Sequence, residues 1–156
     1  MRQSSVLALG LASALGACAT TPPADDPPCS QVKNADTFVV GLDKAGANGA
    51  LDFKMMSADP VPPARGDNTW VVQVSSMTSG VVGSPVTGAS MSVTPFMPSH
   101  QHGSPLAVVV TPMADAGQYK LTPVNLWMPG VWETTLDVTA SGSSPADNVM
   151  FRFCIE

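Results

Sequence analysis

Apolar and polar positions alternate with a period of two in several stretches of the chain, and no window of eleven or more residues carries a helical stripe. In Trp70-Val71-Val72-Gln73-Val74-Ser75, the side chains of Trp70, Val72 and Val74 share one face. The stretch from Trp132 to Thr139 turns Trp132, Leu136 and Val138 inward in the same way. From Val149 to Ile155, the residues Val149, Phe151, Phe153 and Ile155 face one side, while Met150, Arg152 and Cys154 face the other. Shorter candidates run from Phe38 to Leu42, Leu51 to Met56, Ser90 to Phe96, Leu106 to Thr111 and Gln118 to Leu126. Asn48-Gly49 is a hairpin signal between the first two of these. Prolines from position 60 to position 145 separate the strands. Seven or eight short strands at a spacing of about ten residues predict an all-β chain folded as an antiparallel sandwich.

Asp115-Ala116-Gly117-Gln118-Tyr119-Lys120-Leu121 resembles the tyrosine corner of immunoglobulin-like sandwiches, in which a Tyr at the start of a strand bonds its hydroxyl to upstream backbone. The alternative is a core aromatic without that bond; either way Tyr119 serves stability. Composition agrees with one compact domain. The 156 residues are 44% hydrophobic and 12% charged, with 13 Gly and 15 Pro, which is short of low complexity.

The N-terminus changes the picture more. Met1-Arg2-Gln3 carries a positive charge and Val6 to Leu15 is an apolar run. Such a run spans about 15 Å as a helix, half the hydrocarbon core of a bilayer, so it reads as a signal h-region and not as a transmembrane helix. Leu15-Gly16-Ala17-Cys18 resembles the lipobox of bacterial lipoproteins, which implies cleavage before Cys18 and diacylation of its sulfur. An ordinary secretory signal, with Cys18 a spare thiol, is the alternative. By the same analogy Ala19 after the cysteine implies the outer membrane, so the expected location is the bacterial cell envelope, on its periplasmic or surface side. The expected division is a signal peptide over 1–17, a lipidated N-terminus and Pro-rich spacer over 18–33, and one domain over 34–156. Removing residues 1–17 from 156 leaves 139, with six basic against twelve acidic residues. That balance excludes nucleic acid as a partner, and no basic cluster suits anionic headgroups.

Two cysteines remain, Cys29 and Cys154, in an oxidising setting, and a disulfide is the natural reading. Closing so long a loop contributes about 4–5 kcal/mol in the chain-entropy model. A redox or metal-binding thiol pair is the alternative, and the lack of a Cys-x-x-Cys spacing speaks against it.

Both histidines of the chain lie in Phe96-Met97-Pro98-Ser99-His100-Gln101-His102-Gly103. On an extended segment residues i and i+2 project to one side, so the two imidazoles could converge on one ion. Met97 adds a thioether. Imidazole and thioether together suit copper, Met favouring Cu(I) and His accepting both oxidation states, whereas zinc rarely takes Met. Met128-Pro129-Gly130 would complete the site if that turn lies at the same end of the sandwich.

Met97 to Gly103, Asp115 to Tyr119 and Leu126-Trp127-Met128-Pro129-Gly130-Val131-Trp132 together resemble the YtkA-like domain, akin to FixH-like proteins. The resemblance covers about Asp67 to Thr139. It implies a small exported or membrane-tethered immunoglobulin-like β-sandwich with a role in copper handling. The ligands it implies are Met97, His100, His102 and Met128. The chain lacks an acidic residue beside the histidine pair, as a Cu(II) site of the CopC type would want.

Other readings stand beside this one. The Pro-rich loop could be a structural turn, or its histidines a pH-sensitive patch. Met91 has the parity of a core residue and Met113 could be core or ligand. No Gly-x-Ser-x-Gly, phosphate loop or His-Glu-x-x-His occurs, so no catalytic residue is assigned and an enzyme is not expected. The alternative to a copper lipoprotein is a non-catalytic immunoglobulin-like module that binds an envelope protein partner without metal.

Overall fold

The computed structural model describes residues 26–139 and 146–156. The expected signal peptide, the expected lipidation site at Cys18 and the first part of the expected spacer lie outside these residues. Ten strands occur among those described: β1 (Asp43–Ala45), β2 (Leu51–Asp59), β3 (Gly66–Thr78), β4 (Val81–Pro85), β5 (Ser90–Met97), β6 (His102–Gly103), β7 (Val109–Pro112), β8 (Gln118–Leu126), β9 (Gly130–Thr139) and β10 (Asp147–Ile155). One antiparallel sheet has the order β1-β2-β3-β8-β7, with β4 also paired to β3; the other has the order β10-β9-β5-β6.

The β-sandwich expected from the period of two is therefore present, with ten strands where seven or eight were expected. Three strands were not foreseen, β1, β4 and β6, while one expected strand is absent. All five residues of β4 are exposed, so no alternation marks it, and β6 is only two residues long. The stretch from Phe38 to Leu42 is not a strand but an irregular segment that turns over 39–42, with Leu42 N bonded to Val39 O and Gly41 at a φ of 89°. The Asn48-Gly49 hairpin does form, between β1 and β2. Pro123 lies within β8, opposite an irregularity between Asn68 and Trp70. There the Asn68 amide bonds the carbonyls of Ala64, Gly66 and Val124, taking up backbone groups that a regular ladder would pair.

The core fills with the alternating residues named above. Trp70, Val72, Val74, Trp132, Leu136, Val138 and all four of Val149, Phe151, Phe153 and Ile155 are buried. Trp70 meets the edge of Phe153 at 5.6 Å, and Phe38 also packs on Phe153 at 6.2 Å. The Tyr119 hydroxyl donates to Val86 O at 2.8 Å and accepts from Ala89 N at 3.1 Å. The upstream bond expected of the corner thus exists, but it reaches the β4–β5 connection, more than two dozen residues back, instead of the local turn.

Two carboxylates lie inside this scaffold. Asp147, at the start of β10, accepts from the backbone N–H groups of Asn48, Ala50, Leu51 and Asn148 at 2.8–3.0 Å, clasping the β1–β2 turn to the second sheet. Gly46 is required beside it, because a Cβ there would stand 2.2 Å from Asp147 Oδ2. Burial pushes the Asp147 carboxyl up, but the four donors outweigh it and hold the group below its ordinary 3.8. Asp52 is pushed the other way, by burial and then by Asp43, with Lys54 opposing.

A carboxylate with a depressed folded pKa contributes stability above the unfolded value and loses it as pH falls through the folded one. Asp147→Asn should therefore cost about 1–3 kcal/mol at pH 7 in denaturant unfolding. The gap from the native chain should close in acid, once pH has dropped below 3.8 and through the folded pKa. Tyr119→Phe should cost about 1–3 kcal/mol by orphaning the buried Val86 carbonyl, measured the same way, without moving the pH dependence.

Candidate functional site

The first sheet's partner sheet carries the histidines. β5 ends at Met97, and the chain reverses through Pro98 to Gln101 into β6, where His102 sits opposite Met97. His100 N donates to Met97 O at 3.3 Å, the Gln101 amide donates to the Pro98 carbonyl, and Gln101 takes a φ of 55°. His100 therefore occupies a turn and His102 a strand. The same-side argument for an extended segment does not describe this geometry, because Pro98 and the left-handed Gln101 fold the segment into a hairpin. The hairpin nevertheless brings the two rings to 5.8 Å between centroids.

Each ring has one nitrogen already engaged. His102 Nδ1 donates to Gly103 O at 3.2 Å, and since a carbonyl only accepts, the proton lies on Nδ1 and Nε2 keeps its lone pair. His100 Nε2 donates to Asp26 Oδ2 at 3.0 Å, which leaves Nδ1 as the remaining ring atom. His102 is further held by Trp127, stacked at 5.1 Å, and by the edge of Trp132 at 6.0 Å.

The β8–β9 turn comes to the same end of the sandwich. Trp132 Nε1 donates to Met128 O at 2.9 Å and Arg65 Nε donates to Trp127 O at 3.0 Å, fixing the turn from both sides. Met128, His100, Asp26, Pro28 and Ile155 then line one cleft of about 480 Å³. Met97 lies beneath it, fully buried. Gly130 has a φ of 120°, and a Cβ there would meet Met97 Cε at 2.3 Å and Asp26 Oδ2 at 2.6 Å, so only glycine lets both approach.

Of the residues singled out from sequence, His100 and Met128 share the cleft, His102 adjoins His100, and Met97 underlies them. Cys29 and Cys154 are joined as a disulfide, with Cα atoms 5.5 Å apart. Sequence reasoning missed Asp26. The acidic residue thought to be lacking beside the histidines comes from the spacer, 74 positions before His100. Only Cys29, three positions on, could have signalled it, since a disulfide to Cys154 brings that segment to the end of β10. The aromatic clamp of Trp127 on His102 was also missed, as nothing local links the two.

Among the described residues no three His, Cys, Asp or Glu side chains gather so as to hold a metal ion. An ion at this hairpin would therefore draw on thioethers as well as imidazoles, a donor set that fits copper better than zinc or a hard cation.

Among known proteins, a family model described as YtkA-like matches residues 45–137. No curated protein and no solved structure matches the chain. With well over half of the 156 residues inside the match, and the histidine hairpin, Tyr119 and the Met128 turn among them, the chain belongs to the YtkA-like family.

Proposed function

We propose that the chain is an exported bacterial envelope protein, lipid-anchored through Cys18, that binds or delivers copper and catalyses no reaction. The observation that carries this reading is the pair of imidazoles 5.8 Å apart, with the Met128 thioether in the cleft that His100 lines. His102 offers Nε2, His100 offers Nδ1 and Met128 adds a soft donor from the wall of the cleft, with Met97, fully buried opposite His102, as the further thioether of the proposed set. Copper is the cargo that such donors suit: thioethers favour Cu(I), and imidazoles hold either oxidation state. Trp127 over His102 limits the ring to one orientation, which lowers the cost of ordering it around an ion.

A second reading, a metal-free interaction module for an envelope protein, draws on the surface. Residues 68–114 contain no Asp, Glu, Lys or Arg, and Val81, Val82, Leu106, Val109 and Met113 are exposed within that run. Charge-poor apolar surface of this kind marks protein contact sites.

Copper titration of the Cys18→Ser chain separates the two. The copper reading expects binding of a single ion, quenching of tryptophan emission through Trp127, and loss of both in His100→Ala/His102→Ala. Met128→Leu should weaken Cu(I) more than Cu(II). Absence of any saturable copper signal would sink the reading, whereas partner binding undisturbed by the double substitution would favour the interaction module.

A further inference from the structure

We propose that Asp26 is a positioning residue of the copper site and that the Cys29–Cys154 disulfide holds it in place, so that the state of that bond sets the affinity of the site. This rests on the copper reading. An ionised carboxylate only accepts hydrogen bonds, so its 3.0 Å contact fixes the His100 proton on Nε2 and presents Nδ1 as the donor atom. Metal-binding histidines are commonly oriented in this way by a carboxylate on the opposite ring nitrogen, which also makes the ligand more basic. Both side chains are largely covered, 16% exposed for Asp26 and 26% for His100, so the contact is shielded from competing water.

Asp26 reaches this seat along a short strut. Pro27 and Pro28 follow it, and Pro28 has φ −57° and ψ 147°, the polyproline conformation. The residue before a proline is itself biased to extended backbone. Asp26 to Cys29 is therefore a stiff span of about 9 Å, at about 3.1 Å per residue. Its far end is bonded to Cys154, whose strand neighbour on β9 is Val131, next to Gly130. Gly130 is the residue whose missing Cβ makes room for the Asp26 carboxylate. Disulfide, two-proline strut and glycine seat thus place one carboxylate against one imidazole.

Opening the bond would need a dithiol that gives two electrons and two protons, leaving two thiols and becoming a disulfide itself. The strut would then pivot freely about a single chain end. The carboxylate would leave the neighbourhood of His100 for most of the time, because its local concentration depends on that tether.

The test uses the full chain with Cys18→Ser as reference, together with Asp26→Ala, Cys29→Ser/Cys154→Ser, and the combination of all these changes. In metal-free protein, long-range ¹H–¹⁵N spectra of the imidazoles should show His100 as the Nε2–H tautomer in the reference. In both variants a mixture of tautomers should appear. Copper affinity should fall about 10- to 100-fold in each variant, and the combination should bind no more weakly than the weaker of the two, as expected when both act through one contact. If Asp26→Ala leaves the tautomer and the affinity unchanged while His100→Ala/His102→Ala abolishes binding, the proposal is overturned and the copper reading survives. Fully additive losses would overturn the role of the disulfide. A reference chain that takes up no copper would overturn both. Should the serine variant fail to fold, Asp26→Ala keeps the disulfide and decides the role of the carboxylate, and Pro27→Gly/Pro28→Gly, which loosens the strut with the bond intact, decides the tether: an unchanged tautomer and affinity there would overturn it.

Discussion

The register of β9 is the constraint on which the rest depends. This strand pairs with the whole of β10, from Gly130 opposite Ile155 to Val138 opposite Asp147, and with β5 from Glu133 opposite Phe96 to Thr139 opposite Ser90. A slip of one residue would turn Trp132, Thr134, Leu136 and Val138 out of the core, so the buried face leaves the register no freedom. Three chain ends are thereby delivered to the start of β9: Met97 with its hairpin from β5, Cys154 from β10, and the Met128 turn that leads into β9 itself. The candidate site is a consequence of that convergence and owes little to local sequence.

The disulfide adds the fourth arrival. Once Cys154 is fixed beside Val131, Cys29 must lie at the same end, and the chain before it has to cross the mouth of the cleft. Asp36 secures the segment after it, accepting from Arg152 N at 2.7 Å and pairing with Lys44 at 2.6 Å. At the opposite end of β10, Asp147 performs a comparable task by clasping the β1–β2 turn. A domain with 12% charged residues thus places individual carboxylates where several backbone or side-chain donors meet, and each joins segments far apart in sequence.

Much of the fold was legible in the sequence because the long strands have one buried face, and an alternating pattern states both the strand and its orientation. Trp70 to Val74, Trp132 to Val138 and Val149 to Ile155 show this, each inward residue being buried. β4 was illegible because it buries nothing, and Phe38 to Leu42 misled because Phe38 packs on Phe153 from an irregular segment before a turn, giving an apolar residue without a strand. In the site, two histidines two residues apart were visible as a cluster, but their hairpin depends on the φ of Gln101, to which a periodicity argument is blind. Asp26 was hidden for a different reason. Contacts between residues so distant in sequence leave no mark on either one, and a Pro-rich segment reads as a spacer whether or not it docks.

Charge placement bears on what the site would accept. Residues 68–114 form β4 to β7 and part of β3 without one fixed charge, so the sheet edges there lack the lysines that often keep strands from pairing with other chains. Short strands do that work here: β7 has four residues and ends in Pro112, which has no N–H to offer, and β4 ends in Pro85. The histidine hairpin lies within this uncharged run, while Asp26 and Glu156 line the cleft beside it. Among the described residues Asp26 is the carboxylate that bonds a histidine ring, through Oδ2 to His100. A hard divalent cation, which is held by several charged or carbonyl oxygens, would gain little from two imidazoles and a thioether. On the proposed copper reading, selection at this end of the sandwich would therefore follow donor softness more than charge.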